Sequence, residues 1–200
     1  KEDIEALKAY GGEFEEIILR DYELEKLLLD RGGLKLLIEL SHAPSLSICG
    51  LNSGYQGPGG KTIVPATASA KVDVRLVPNL TTKKVNELFR SHLIKKGFDD
   101  LEVELLTGYD PAKTSVTHPF IQMLQKTTEK LIAPTPVNLI PVAYGSGPAY
   151  LFTPYTPLAI VGNSVEGING HAPNENIPLN AIKPSLAYNA LVAQQLALKG

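Results

Sequence analysis

The chain has 200 residues, of which 44% are hydrophobic and 20% charged, and its formal net charge is −2. The near-neutral charge argues against a nucleic-acid partner, and no apolar run approaches the roughly 20 residues of a membrane helix, so we expect no membrane partner. The single Cys49 excludes an internal disulfide and favours a reducing compartment, which predicts a cytoplasmic location.

Two short helical patterns occupy residues 1–31, the first around Leu7 and the second around Leu27. The glycine pair Gly11-Gly12 separates the two patterns, and Gly32-Gly33 closes the second. We therefore predict two surface helices or a linker in this segment.

An antiparallel sheet is predicted in the next part of the chain. Residues 45–51 alternate as a strand, and residues 52–60 contain four glycines and a proline, which predicts a loop. In the clearest strand, residues 68–76, apolar positions alternate with polar ones that include Asp73 and Arg75. One apolar and one polar face are typical of an antiparallel sheet that packs on one side only.

A helix and a third strand are predicted after this sheet. Thr81 or Thr82 can cap the helix at its N-terminus, and Lys95-Lys96-Gly97 can end it. In residues 101–105, leucine and valine alternate with glutamate, which predicts a half-buried strand. This order of elements indicates an α+β layer in which helices cover a sheet.

The pattern changes after Gly108. His118-Pro119 is a favourable helix start, and the continuous apolar runs at residues 137–142 and 158–161 are typical of strands buried on both faces. A last helix is predicted to have Pro184 in its first turn and to bury one apolar side: Ile182, Leu186, Ala190 and Ala193. Strands of this kind between helices indicate part of an α/β domain, so we place a domain boundary between residues 112 and 113.

Two glycine-rich stretches invite other interpretations. A phosphate loop from Gly54 to Gly60 is disfavoured because five residues rather than four separate these glycines, and because the loop leads into a strand instead of a helix. A nucleophile elbow at Ser146 would need glycine where the chain has Tyr144 and Pro148. The alternatives are a flexible turn for the first stretch and, for the second, a turn that binds a carboxylate through its N–H groups and hydroxyl.

Two separated motifs carry a family resemblance. One is the loop His171-Ala172-Pro173-Asn174-Glu175-Asn176, where an imidazole after a buried strand can present a metal ligand. The other is the loop and strand of residues 61–79. Together, and with the Gly-Ser-Gly turn between them, they resemble the M20 family of metallopeptidases, most closely its dipeptidase branch.

The resemblance runs from about Gly32 to the end of the chain and implies an α/β protein of two domains. Residues 1–112, with the helical or linker segment 1–31, would form an α+β two-layer lid (dimerisation) domain. Residues 113–200 would form the C-terminal portion of an α/β zinc-peptidase-like catalytic domain.

The resemblance also implies roles for individual residues. His171 would be one ligand of a centre of two metal ions, Zn²⁺ or else Mn²⁺ or Co²⁺. Arg75 would hold the substrate carboxylate, Gly145, Ser146 and Gly147 would line the substrate pocket, and Thr62 would reach the active site of a neighbouring subunit. Plainer interpretations stay open: an exposed ion pair for Arg75, an ordinary strand-edge threonine for Thr62 and a structural turn at Ser146.

The function implied is metal-dependent hydrolysis of a peptide or N-acyl amide bond adjacent to a free carboxylate, in a small peptide or N-acyl amino acid. A homodimer would form through the lid. No catalytic residue is expected in this chain, because the general-base glutamate and most metal ligands of the family lie upstream of the lid. We therefore interpret the chain, which begins at Lys1, as a fragment that is inactive by itself. The alternative is a non-enzymatic dimerisation or scaffold module.

Overall fold

The computed structural model describes residues 1–134, 137–143, 145–161 and 169–198, without the side chains of residues 11–13. The chain divides into two compact units, one of Lys1–Ile38 with Lys113–Gly200 and the other of Glu39–Ala112. The second unit ends at Ala112, and residues 1–38 group with the C-terminal part. The assignment of the two parts to a lid and a catalytic domain stays a prediction. In the described ranges, no helix has both the length and the apolar character needed to cross a membrane.

The first unit begins with α1 (Glu2–Asp21), which continues through Gly11-Gly12 without a break. The predicted division into two helices at this glycine pair is therefore wrong. Leu7 and Phe14 lie on one side of α1 and are buried with Leu37 of α2 (Gly33–His42). Burying these large apolar side chains outweighs the cost of two helical glycines, about 1 kcal/mol each.

The second predicted helix of the N-terminal segment does not form. In its place the chain makes turns and a short 3₁₀ helix, Leu28–Asp30, in which Leu29 has a φ of 61°. A left-handed φ interrupts the helical hydrogen-bond pattern and is unusual for a leucine. Leu28 is 84% exposed, so no burial favours a regular helix here.

In the second unit, β1 (Ser45–Ser53) pairs antiparallel with β2 (Ala68–Arg75), which confirms the two predicted strands and their direction. The ladder contains a bulge at Cys49, because the register shifts between Ile48 and Gly50. The apolar face of the two-stranded sheet is open, since Ile48 is 66% exposed.

The predicted helix after this sheet is α3 (Thr82–Lys95), and the Thr81 hydroxyl caps it by accepting a hydrogen bond from the N–H of Lys84 at 3.1 Å. The strand predicted at residues 101–105 is not formed. A strand needs a hydrogen-bonded neighbour, and here the carbonyl of Val103 instead accepts a hydrogen bond from Nη2 of Arg90 at 2.6 Å.

The C-terminal part of the first unit contains α4 (Pro119–Ile132) and α5 (Leu179–Ala197). These helices pack through Met123, Leu124 and Tyr188. The strands predicted at residues 137–142 and 158–161 are not formed. Burial on both faces requires neighbouring strands, and among the described residues neither run has one, although Ala159 packs against the cluster of α4 and α5.

Helix α5 buries a different side from the one that the sequence predicts. Ile182 is 41% and Leu186 is 64% exposed, whereas Tyr188 is the residue that α5 buries. The prediction that Pro184 lies in the first turn is wrong, because Pro184 lies in the second turn of α5. The apolar stripe that the sequence assigned to the core therefore lies on the surface of this unit.

Candidate functional site

The predicted site residues are divided between the two compact units. Thr62 and Arg75 lie in the unit of Glu39–Ala112. The unit that contains the C-terminal part holds Gly145, Ser146, Gly147 and His171.

Arg75 is the last residue of β2 and shares the polar face of this strand with Asp73. Its Nε lies 2.9 Å from Oδ2 of Asp73, which is the ion pair expected from their spacing. The two side chains are 56% and 50% exposed, so the pair contributes only about 0–1 kcal/mol to stability. The guanidinium is accessible to a ligand from solvent.

Small residues stand across the ladder from the charged face of β2. Ser45 is opposite Arg75, Ser47 is opposite Asp73, and Gly50 is opposite Lys71. The bulge at Cys49, which the alternation of residues 45–51 does not predict, brings this glycine into register.

Thr62 is exposed and lies in the loop between the strands, not at a strand edge. The loop folds on itself, since the Tyr55 hydroxyl donates to the carbonyl of Pro58 at 3.3 Å and Lys61 Nζ stands 5.6 Å from the Tyr55 ring centroid. A shallow cavity of about 220 Å³ opens beside it, with Tyr55 and Ile63 in its wall. The loop leads into β2, as predicted, so it lacks the helix N-terminus of a phosphate loop.

The turn at Gly145, Ser146 and Gly147 is exposed and leads into the 3₁₀ helix Pro148–Leu151. A Cβ added at either glycine would meet no atom within 4 Å, and neither glycine has a left-handed φ. Nothing within the described chain therefore requires glycine at these positions. Tyr144, which precedes the turn, lies outside the described residues.

His171 is exposed in a tight turn that the N–H of Ala172 closes by donating to the carbonyl of Asn169 at 2.9 Å. The backbone of His171 is left-handed, with a φ of 63°. Histidine is one of the few residue types enriched in this conformation, although it still carries some strain. The turn holds the imidazole toward solvent.

No three His, Cys, Asp or Glu side chains among the described residues lie close enough together to hold a metal ion. A catalytic zinc site needs three protein ligands, and a two-metal site needs more. The described part of this chain does not by itself fit a complete metal centre, and His171 is its one predicted ligand.

Residues 6–100 match a protein-family model described as the M20 peptidase dimerisation domain. The chain is 29% identical over 119 residues to the β-Ala-His dipeptidase of Mus musculus, an alignment that covers 57% of this chain and 24% of the relative. It is 36% identical over 52 residues to the Cys-Gly metallodipeptidase of Schizosaccharomyces pombe, covering 26% and 11%. The chain thus spans less than a quarter of the curated relatives it matches.

Two solved structures are similar to this chain over most of its length. An M20 family metallo-carboxypeptidase from Sulfolobus solfataricus aligns with a TM-score of 0.80 and 31% identity, over 96% of this chain and 44% of that one. The dipeptidase Dug1p of Saccharomyces cerevisiae aligns with a TM-score of 0.67 over 90% and 38%, and at 21% identity it shows a shared fold. The chain has the α/β fold of these proteins.

Proposed function

We propose, since this chain belongs to the M20 peptidase family, that the whole protein hydrolyses a peptide or N-acyl amide bond next to a free carboxylate in a metal-dependent reaction. The observation that carries the proposal is the alignment of 96% of this chain with a metallo-carboxypeptidase at 31% identity. The relatives named for β-Ala-His and Cys-Gly dipeptides support a small peptide as the substrate, with an N-acyl amino acid as the alternative.

In this proposal Arg75 binds the free carboxylate of the substrate. A planar guanidinium makes two parallel hydrogen bonds to a carboxylate, which a lysine cannot reproduce. The accessibility of Arg75 and the small Ser45 opposite it support this role. Thr62, in the loop before β2, would reach the active site of a neighbouring subunit.

The turn of Gly145, Ser146 and Gly147 would line the substrate pocket. Its backbone N–H groups and the Ser146 hydroxyl are suitable donors for an oxyanion or a carboxylate. Neither the neighbouring atoms nor the backbone conformation requires glycine at positions 145 and 147. A glycine without such a structural reason is compatible with close approach of a ligand to the backbone.

The metal would be Zn²⁺, or else Mn²⁺ or Co²⁺, with two ions in each active site and His171 as one ligand. The other ligands and the general-base glutamate would come from outside this chain. The 200-residue chain alone would then be inactive.

The match to a dimerisation domain supports a homodimer formed through the second unit. In the described residues, the outer edges of β1 and β2 have no strand partner, and α3 exposes Leu88 and Ile94. Unpaired strand edges gain hydrogen bonds when a second copy adds to them. The single Cys49 supports a cytoplasmic location for the protein.

The test is hydrolysis by the purified full-length protein supplied with Zn²⁺ or Mn²⁺. β-Ala-His, Cys-Gly and an N-acetyl amino acid are the substrates, and the 200-residue chain is assayed beside them. We expect cleavage of at least one substrate by the full-length protein, loss of this activity with a chelator, and no activity of the short chain. A dimeric full-length protein that binds no metal and cleaves none of these would favour the scaffold module instead.

A further inference from the structure

The loop between β1 and β2, residues 54–67, folds around one aromatic side chain. The Tyr55 hydroxyl donates to the carbonyl of Pro58 at 3.3 Å, and Lys61 Nζ lies 5.6 Å from the centroid of the Tyr55 ring. An ammonium group at this distance over an aromatic ring is attracted by the negative face of the ring. One ring therefore contacts the middle of the loop and also Lys61, the residue immediately before Thr62.

Two glycines of this loop differ in their relation to the ring. A Cβ added at Gly57 would overlap the hydroxyl of Tyr55, so the ring occupies the space that a side chain at this position would need. A Cβ added at Gly60 would meet no atom within 4 Å. Neither glycine has a left-handed φ, so the backbone accepts alanine at both positions. Replacing each by alanine therefore separates displacement of the ring from the other effects of losing a glycine.

The contacts of Tyr55 affect local order more than stability. Tyr55 is 46% exposed, and a cation–π contact at an exposed position is weak. Even a weak contact removes some of the conformational freedom of a loop. Because Thr62 directly follows Lys61 in the chain, holding Lys61 at the ring leaves the backbone of Thr62 fewer accessible positions.

We propose that Tyr55 is a positioning residue, which orders this loop through Lys61 so that Thr62 is presented to the substrate in a neighbouring subunit. This inference rests on the proposed role of Thr62 in substrate binding. A loop that is ordered in advance does not have to lose its conformational freedom when the substrate binds. Tyr55 would thus increase the efficiency of the reaction without contacting the substrate.

The first experiment measures kcat/KM of the full-length enzyme for β-Ala-His. Tyr55→Leu should lower kcat/KM about twofold to fivefold, the factor that corresponds to one exposed cation–π contact. Tyr55→Phe keeps the ring and should retain more of the activity. Lys61→Met should resemble Tyr55→Leu, whereas Lys61→Arg should retain activity, because a guanidinium also stacks on aromatic faces. Lys126→Met, at an exposed lysine of α4, is the control and should resemble the unaltered enzyme.

Double variants test whether Tyr55 acts through Lys61 and Thr62. Tyr55→Leu and Lys61→Met together should lower kcat/KM no further than either alone, because each removes the same contact. In a Thr62→Ala background, Tyr55→Leu should have no additional effect. The melting temperature should change little in all these variants, since the contact is exposed. Independent losses in either pair, with the two factors multiplied, would overturn the inference.

The single variants distinguish the inference from the proposal on which it rests. If Thr62→Ala leaves kcat/KM unchanged, Thr62 does not bind the substrate, and the positioning role of Tyr55 is overturned with it. If Thr62→Ala lowers kcat/KM but Tyr55→Leu does not, the role of Thr62 stands and the positioning role of Tyr55 alone is overturned.

Backbone order parameters from ¹⁵N relaxation of the 200-residue chain test the same inference without any substrate. In Tyr55→Leu, the order parameter of the Thr62 N–H should fall from the range of ordered backbone, about 0.85, toward that of flexible segments, below about 0.6. Gly57→Ala should have a similar effect because its Cβ displaces the ring, and Gly60→Ala should not. A Thr62 order parameter that is the same in Tyr55→Leu and in the unaltered chain would overturn the inference, whether or not the full-length protein hydrolyses the dipeptide.

Discussion

The Glu15 carboxylate in α1 accepts a hydrogen bond from the backbone N–H of Gly33, the first residue of α2, at 2.7 Å. The first N–H groups of a helix have no partner within the helix, and a carboxylate there also interacts favourably with the helix dipole. Glu15 thus joins two helices that are distant in sequence and fixes the start of the second.

Glu15→Ala should lower the free energy of unfolding by about 1–2 kcal/mol, because the N–H of Gly33 loses its partner. Urea unfolding followed by circular dichroism measures the change. Glu16→Ala, an exposed position on the same helix, is the matched control and should change stability by less than about 0.5 kcal/mol. Equal stabilities of the two variants would show that the contact with Gly33 does not stabilise the fold.

His118 caps α4, since its Nδ1 accepts a hydrogen bond from the N–H of Phe120 at 3.1 Å. His118→Ala should cost about 1 kcal/mol, whereas His118→Asn should retain most of the stability because asparagine is a good N-cap. Thermal unfolding compares the two variants, with the exposed His92→Ala as control. If alanine and asparagine at position 118 are equally destabilising, the cap is not the stabilising contact.

Local sequence patterns predict the helices and strands well where neighbouring residues stabilise them. The cap at Thr81, the start of α4 at His118-Pro119 and the alternation in β2 each depend on neighbouring residues, and the structure confirms all three. The predictions that are wrong concern elements whose stability depends on residues distant in the sequence. Helix α1 continues through Gly11-Gly12 because its flanks are buried against Leu37, which no local pattern reveals.

The missing strands have the same kind of explanation. Residues 101–105, 137–142 and 158–161 have the composition of strands, but a strand forms only beside another strand. In the candidate site, too, local contacts are predictable from the sequence and distant ones are not. The pairing of Asp73 with Arg75 follows from their spacing, whereas the serines opposite them follow from the register of β1, which the bulge at Cys49 sets.

The proposed dimer surface can be tested on the chain itself. Light scattering at high protein concentration should give the mass of a dimer. Leu88→Glu should give a monomer, because a charge at an apolar interface position is costly to desolvate. Leu179→Glu, which alters an exposed leucine of α5 in the other unit, should leave the dimer intact. A monomer at every concentration before any substitution would contradict assembly through this chain.

The isolated chain should bind metal weakly. After incubation with Zn²⁺ and dialysis, we expect well under one ion per chain by elemental analysis, since the described residues offer no cluster of three ligands. His171→Ala should change this value little in the short chain but should lower the metal content of the full-length protein. Stoichiometric zinc that resists a chelator in the short chain would show that a complete set of ligands is present in it.

The carboxylate-binding role of Arg75 is tested most directly by the kinetics of Arg75→Ala in the full-length enzyme. Hydrogen bonds to charged groups contribute roughly 1.5–3 kcal/mol each, so kcat/KM for a dipeptide with a free carboxylate should fall at least about tenfold. Arg75→Lys should also be poor, and the melting temperature should change little because the Asp73–Arg75 pair is exposed. Near-normal kinetics together with a large fall in melting temperature would contradict this role and show that Arg75 is a structural residue.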